Sequence, residues 1–182
     1  MDNEEILPLV DADGRVVGAA SRSECHRGPG RLHPVVHLHV CNGCGSIYLQ
    51  KRAEDKLVQP GKWDTAVGGH VAAGEEIGAA LAREIEEELG VGPAALESSG
   101  RGIRPLFRYR WDTEVESELV HAFLAIHEGP FHHDGREVSE GRFWSLDEIR
   151  ANLGRSVFTP NFEHEFELLQ EHLSAAPGGD AP

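Results

Sequence analysis

The chain has 182 residues and a mass of 19.9 kDa, the size of one ordinary domain with room for a proper core. Hydrophobic residues make up 40% and charged residues 26%, a soluble globular balance, and no apolar run approaches the roughly 18 residues of a membrane span. The formal net charge of −14 argues against a nucleic-acid duplex or an anionic membrane as partner, but small phosphorylated ligands remain compatible with it, because a bound divalent cation inverts the local field.

The elements follow in chain order. The start, Met1-Asp2-Asn3-Glu4-Glu5, is acidic and lacks the basic and apolar regions of a secretion signal. Residues of about 5–21 read as a hairpin, with the turn Asp11-Ala12-Asp13-Gly14 between two apolar runs. Residues 21–31 are polar, a loop or short connector. Leu32–Val40 has a strand pattern, then Asn42-Gly43-Cys44-Gly45 turns into a second strand at Ser46–Arg52. Residues 53–66 read as loop. A helix is expected over residues 75–89, with Glu75 and Glu76 in its first turn and Gly90 as its C-terminal cap. Strands are expected at Gly102–Arg110, Leu119–His127 and Gly141–Trp144. Ser145 and Glu148 form a capping box for a short helix, and a last amphipathic helix spans about Asn161–Leu173. The tail, residues 174–182, is small and Gly/Pro-rich and is expected to be disordered. One domain over residues 1–173, of α/β or α+β class, is the expectation.

Three cysteines cannot build a disulfide framework, which fits a reducing cytoplasm. Cys41 and Cys44 have C-x-x-C spacing, but a zinc ribbon needs a second such pair, and a redox motif needs a βαβ setting rather than a hairpin turn. They read as turn residues.

The chemistry is concentrated on residues 69–91. At about 100° per residue, Ile77, Leu81, Ile85 and Leu89 make one apolar stripe. Glu84, Glu87 and Glu88 cluster at i, i+3 and i+4. Glu88 falls inside the stripe, Glu84 lies at its edge and Glu86 points to solvent. A solvated acidic face explains Glu86. It does not explain Glu88, whose half-buried carboxylate is costly without a cation or a proton. Mg²⁺ or Mn²⁺, which prefer oxygen ligands, would remove that cost.

This stretch resembles the Nudix box, G-x5-E-x7-R-E-U-x-E-E-x-G-U, where U is a bulky aliphatic residue. Gly69, Glu75, Arg83, Glu84, Ile85, Glu87, Glu88, Gly90 and Val91 fill every defined position. The resemblance implies an α/β/α sandwich around a mixed sheet and a metal-dependent hydrolase of nucleoside diphosphates linked to another moiety, or of a related organic diphosphate. By the same resemblance Glu84, Glu87, Glu88 and the Gly69 carbonyl would hold Mg²⁺ or Mn²⁺. Arg83 would orient the glutamates, and Glu75 would secure the loop–helix junction. Glu84 is the first choice for the general base, with Glu118 and Glu137 as alternatives.

A second likeness extends beyond the box. Arg31-Leu32-His33, Pro60-Gly61-Lys62-Trp63-Asp64-Thr65, Gly69-His70 and Phe107-Arg108-Tyr109-Arg110 resemble bacterial isopentenyl-diphosphate isomerases, a branch of the same fold. That likeness implies a second metal site at His26, His33, His70, Glu116 and Glu118, and phosphate contacts at Arg22, Arg52 and Lys56 as well as Arg83. The essential cysteine of the isomerases corresponds to Gly68, which can neither give nor take a proton. The chain is therefore similar to the isomerase-like subgroup of Nudix hydrolases. An isomerase and a non-catalytic nucleotide-binding module remain the alternatives. Dimers are common among such proteins, so a homodimer is compatible with this reading. His37 and His39, an i, i+2 pair about 6.6–6.8 Å apart, share a strand face with His33 and read as hydrogen-bonded strand histidines rather than ligands.

Overall fold

The computed structural model describes residues 4–56, 58–97, 102–133 and 138–175, with side chains up to residue 172. Glu137 and residues 176–182 of the expected tail lie outside the described residues.

The first hairpin pairs β1 (Ile6–Val10) with β2 (Val16–Ser21) as a separate two-stranded sheet. The second sheet has seven strands. β3 (Leu32–Cys41) is its spine and is buried along its whole length. On one side β3 runs parallel to β8 (Ser117–Ile126), which pairs antiparallel with β7 (Arg104–Asp112). On the other side β3 shares its edge between β6 (Val67–His70) and β4 (Ile47–Arg52), and β4 carries β5 (Trp63–Asp64) and β9 (Val138–Trp144). The sheet is therefore mixed.

Helices cover both faces. α2 (Ile77–Leu89) lays Ala80, Leu81, Ile85 and Leu89 on Val36, Leu38 and Val40 of β3, and α3 (Pro93–Glu97) adds Leu96 to the same core. The opposite core joins Cys41, Leu49 and Leu124 to Ile149 of α4 (Leu146–Asn152) and to Phe162, Phe166 and Leu169 of α5 (Pro160–Ala175). This is the expected α/β/α sandwich with an N-terminal hairpin. Val10, Leu32 and Leu119 tie the hairpin to the sheet. No described helix is long and apolar enough to cross a membrane.

Several boundaries differ from expectation, each for a local reason. The connector after β2 contains α1 (Arg22–Cys25), which opens on a capping box: Ser21 accepts from the Glu24 N–H, and the Glu24 side chain accepts from the Ser21 N–H. α2 starts at Ile77, so Glu75 and Glu76 precede its first turn. Glu76 is the N-cap without a side-chain bond, and Glu75 is turned toward Arg83 instead. Gly90 takes φ 64, the left-handed C-cap anticipated for it. α5 runs to Ala175, beyond the expected Leu173, so Ser174 and Ala175 belong to the helix and not to the tail.

Candidate active site

Arg83 ties the box together. Its Nε and Nη2 meet Glu75 Oε1 and Oε2 at 3.1 and 2.9 Å, a bidentate pair across the loop–helix junction. Nη1 donates to Glu84 Oε1 at 2.6 Å and to Glu87 Oε2 at 3.5 Å, and Nη2 also reaches the His70 carbonyl at 3.0 Å. Hydrogen bonds to Glu75 and Glu84 outweigh burial and raise the guanidinium pKa further, while the same bonds hold Glu75 below the usual carboxylate range.

The box acids divide as the helical wheel required. Glu84 and Glu88 are buried, whereas Glu86 and Glu87 are exposed. Glu88 Oε2 accepts from Gln50 Nε2 and from the Gly68 N–H, both at 2.9 Å, which fixes its carboxylate between β4 and β6. Its backbone carbonyl accepts from His133 Nδ1 at 2.7 Å, a role the sequence did not assign.

On the other face of the sheet a second constellation forms. β3 and β8 are in parallel register at His33 and Glu118, and β6 brings His70 opposite Val35. α1 ends on His26 as its C-cap, which aims that ring at the same spot. His26 Nε2 lies 3.2 Å from His70 Nε2 and 3.2 Å from Glu116 Oε2. His33 Nδ1 donates to the Arg31 carbonyl at 2.9 Å, leaving the Nε2 lone pair aimed inward. That Nε2 is fully buried and has no hydrogen-bond partner among the described residues.

Among the described residues, two groups have ligand atoms that all lie within 4.8 Å of one another: His26, His33 and His70, and His33, Glu116 and Glu118. The two share His33. Three imidazoles and two carboxylates, one imidazole nitrogen orphaned, form a donor set that fits a divalent cation. Burial, aided by the Arg22 charge, lowers the pKa of His26, His33 and His70, so all three are poised as neutral ligands. Burial raises Glu116 as well, and burial plus the Glu116 charge pushes Glu118 up to about 8. A bound cation would reverse that penalty.

The box acids are arranged differently. Arg83 stands among Glu75, Glu84 and Glu87, and those acids are not one of the tightly converged ligand groups. Of the phosphate-contact candidates, Arg22 pairs with Glu5 at 3.2 Å, Arg52 pairs with Asp64 at 3.3 Å and Lys56 is half-buried in the β4–β5 loop.

Sequence reasoning missed the centre behind the histidines. Glu165 on α5 is fully buried, and its Oε1 accepts from His37 Nδ1 and from the Tyr109 hydroxyl, both at 2.9 Å. His39 Nε2 lies 3.1 Å from Oε2, near in distance but off the hydrogen-bonding direction. Burial alone would push His37 down, but the charge and hydrogen bond of Glu165 raise it to about 9. The signal was present: Glu165 interrupts the apolar run Phe162, Phe166 and Leu169, just as Glu88 interrupts the stripe of α2.

The chain belongs to the Nudix family, whose NUDIX domain matches residues 31–162. It is 38% identical over 178 residues to an isopentenyl-diphosphate Delta-isomerase of Nocardia farcinica, covering 94% of this chain and 98% of that protein. It is 34% identical over 171 residues to an uncharacterised Nudix hydrolase of Pseudomonas aeruginosa, covering 94% and 95%. Such relatives put it in the isomerase-like subgroup. Among solved structures, DR0079 of Deinococcus radiodurans matches with a TM-score of 0.75 at 24% identity, over 92% of this chain and 99% of that one, which shows a shared fold.

Proposed function

We propose that the protein is a metal-dependent hydrolase that cleaves the diphosphate linkage of a nucleoside diphosphate derivative or a related organic diphosphate by water attack on phosphorus. The observation that carries this reading is the complete box folded as a loop and helix, with Glu84 and Glu88 buried and oriented by Arg83, Gln50 and the Gly68 N–H. Mg²⁺ or Mn²⁺ is the proposed cation at the box, held by Glu84, Glu87, Glu88 and the Gly69 carbonyl. A first-row divalent metal would suit the His26, His33, His70, Glu116 and Glu118 set. When bound, the cation polarises phosphoryl oxygens and makes its water more acidic.

The side chains supply the rest. Arg22, Arg52 and Lys56 neutralise phosphate charge. Arg83 keeps the carboxylates in register and does not itself reach for substrate, since its donors are committed to Glu75, Glu84, Glu87 and the His70 carbonyl. A carboxylate takes the proton of the attacking water. Glu84, held at the box by Arg83, is the first choice for that role, with Glu118 as an alternative. Glu137 stays an untested alternative. The substrate is a small diphosphate, the expected location is the cytoplasm, and a homodimer is compatible with this reading.

A manganese-supplemented screen of nucleotides, nucleotide sugars, coenzymes and isoprenoid diphosphates tests the reading. Release of phosphate, pyrophosphate or a nucleoside monophosphate by the native protein, abolished in a folded Glu88→Gln variant, is the expected result. Unchanged turnover in that variant would overturn it. The isomerase reading is favoured by the assembled histidine set and by relatives named as isomerases, and is opposed by Gly68. Deuterium incorporation into isopentenyl diphosphate would establish it.

A further inference from the structure

The sheet face that carries the histidine cluster also holds groups that the proposed hydrolysis leaves unused. His37 pairs with Gly68 across β3 and β6, so the two residues point to the same face. The Nδ1–H of His37 is bound to Glu165, and Glu165 also accepts from the Tyr109 hydroxyl, with the His39 ring close to its other oxygen. The imidazole is thereby fixed in one orientation, with its other nitrogen presented outward.

That second nitrogen, Nε2, has no hydrogen-bond partner among the described residues, and the His37 side chain keeps 11% of its surface exposed while Glu165 keeps none. A β-carbon built on Gly68 would stand 3.5 Å from both Nε2 and Cδ2 of His37, its two nearest neighbours, with Thr65 Cγ2 next at 3.8 Å. Glycine therefore leaves the edge of the ring uncovered. The N–H of the same glycine donates to Glu88 Oε2 at 2.9 Å. One backbone residue thus stands between a box carboxylate and an oriented imidazole edge.

We propose that His37 is a substrate-contacting residue whose Nε2 hydrogen-bonds a phosphoryl oxygen of a diphosphate bound over Gly68, with Glu165 as the positioning residue that holds the ring. A diphosphate carries negative oxygens on two phosphorus centres, so one phosphoryl group can face the cation side of Gly68 and the other the imidazole. This inference rests on the diphosphate-hydrolase reading and adds a contact residue outside the box.

The test is calorimetric titration of the manganese-loaded protein with methylenediphosphonate, a diphosphate analogue that cannot be hydrolysed, alongside ¹⁵N-histidine spectra. The native protein should bind the analogue and shift the His37 Nε2 resonance. His37→Gln should weaken binding about tenfold or more. Gly68→Ala should do the same, because its methyl group stands in front of the ring at ordinary contact distance while the N–H to Glu88 is kept. Gly68→Ala also keeps the proposal falsifiable if His37→Gln fails to fold. Glu165→Gln should change the Nδ1 and Nε2 chemical shifts of the His37 ring, a readout that a merely structural role would not move.

Native-like affinity in the folded Gly68→Ala variant, a His37 resonance indifferent to the analogue, or no binding by the native protein would each overturn the assignment. If the native protein hydrolyses a diphosphate, Glu88→Gln does not, and Gly68→Ala binds the analogue normally, the His37 contact alone fails. If the native protein hydrolyses nothing on the panel, the hydrolase reading fails.

Discussion

Gly69 and Glu84 occupy space that only a glycine leaves open: a β-carbon at Gly69 would fall on the Glu84 carboxyl group. The box glycine is thus required by contact between β6 and α2 and not by backbone conformation. Alanine at this position must displace Glu84 or push the strand from the helix. Gly69→Ala is expected to lower kcat by about 10²-fold, the usual cost of misplacing a reacting group by about 1 Å. Steady-state kinetics beside circular dichroism would check it. Native kcat in the variant would show that Glu84 is not held where the reaction needs it.

Arg83 joins α2 to the loop before it and to β6 through Glu75, Glu84 and the His70 carbonyl. Lysine keeps the charge but cannot reproduce the planar fork. Because the side chain is about one-third exposed, solvent screening limits the loss. Arg83→Lys should cost about 1–2 kcal/mol of stability, below the full range for charged hydrogen bonds. Urea denaturation measures this, and kcat should fall with it because Glu84 loses its partner. A variant as stable and active as the native protein would refute the bridging role.

The buried Nε2 of His33, without a hydrogen-bond partner among the described residues, and the convergent rings of His26 and His70 make a site that gains when a cation enters. A ligand present at 100 times its Kd adds about 2.7 kcal/mol, which in a chain of this size raises Tm by about 5–10 °C. Chelation should therefore lower Tm and added manganese or zinc should restore it. His33→Gln should abolish the shift, while Glu87→Gln, on the other face, should leave most of it. A Tm indifferent to chelator would argue that the histidines serve packing alone.

The long elements were legible because each carried its own periodicity: the stripe of α2, the apolar run of β3, the Ser145–Glu148 capping box. β6 was not, since Val67-Gly68-Gly69-His70 has little strand preference and is held by its pairing to β3. α1 carried a capping box at Ser21 and Glu24 but spans only four residues, too short to leave a pattern. The box itself was readable because one helix places its acids at fixed spacing. The cluster of His26, His70 and Glu116 was reached through family resemblance, because its members lie in separate segments that only the sheet register unites. Glu165 showed a charge within an apolar helix face, yet its partners His37 and Tyr109 come from strands far away in sequence.

That buried carboxylate gives the fold a pH dependence of its own. His37 is raised to about 9, above the roughly 6.5 of an unfolded histidine, so its stabilising share is complete below about pH 6.5 and fades as pH rises through about 9. Glu165 resists the upward push of burial because His37 and His39 hold it well below the ordinary carboxylate value. Its share is present above about pH 4.3 and is lost as pH falls through its lowered native value. The pair therefore contributes most between about pH 5 and 6.5. Removing the charge leaves the buried His37 imidazolium without its counterion, so Glu165→Gln should cost about 3–5 kcal/mol near pH 6. The penalty should shrink clearly near pH 9.5, where His37 is neutral in the native protein as well. Urea titrations of both proteins at the two pH values measure the difference. A penalty of equal size at both would mean that Glu165 acts through packing and neutral hydrogen bonds, and that His37 carries no charge in the folded state.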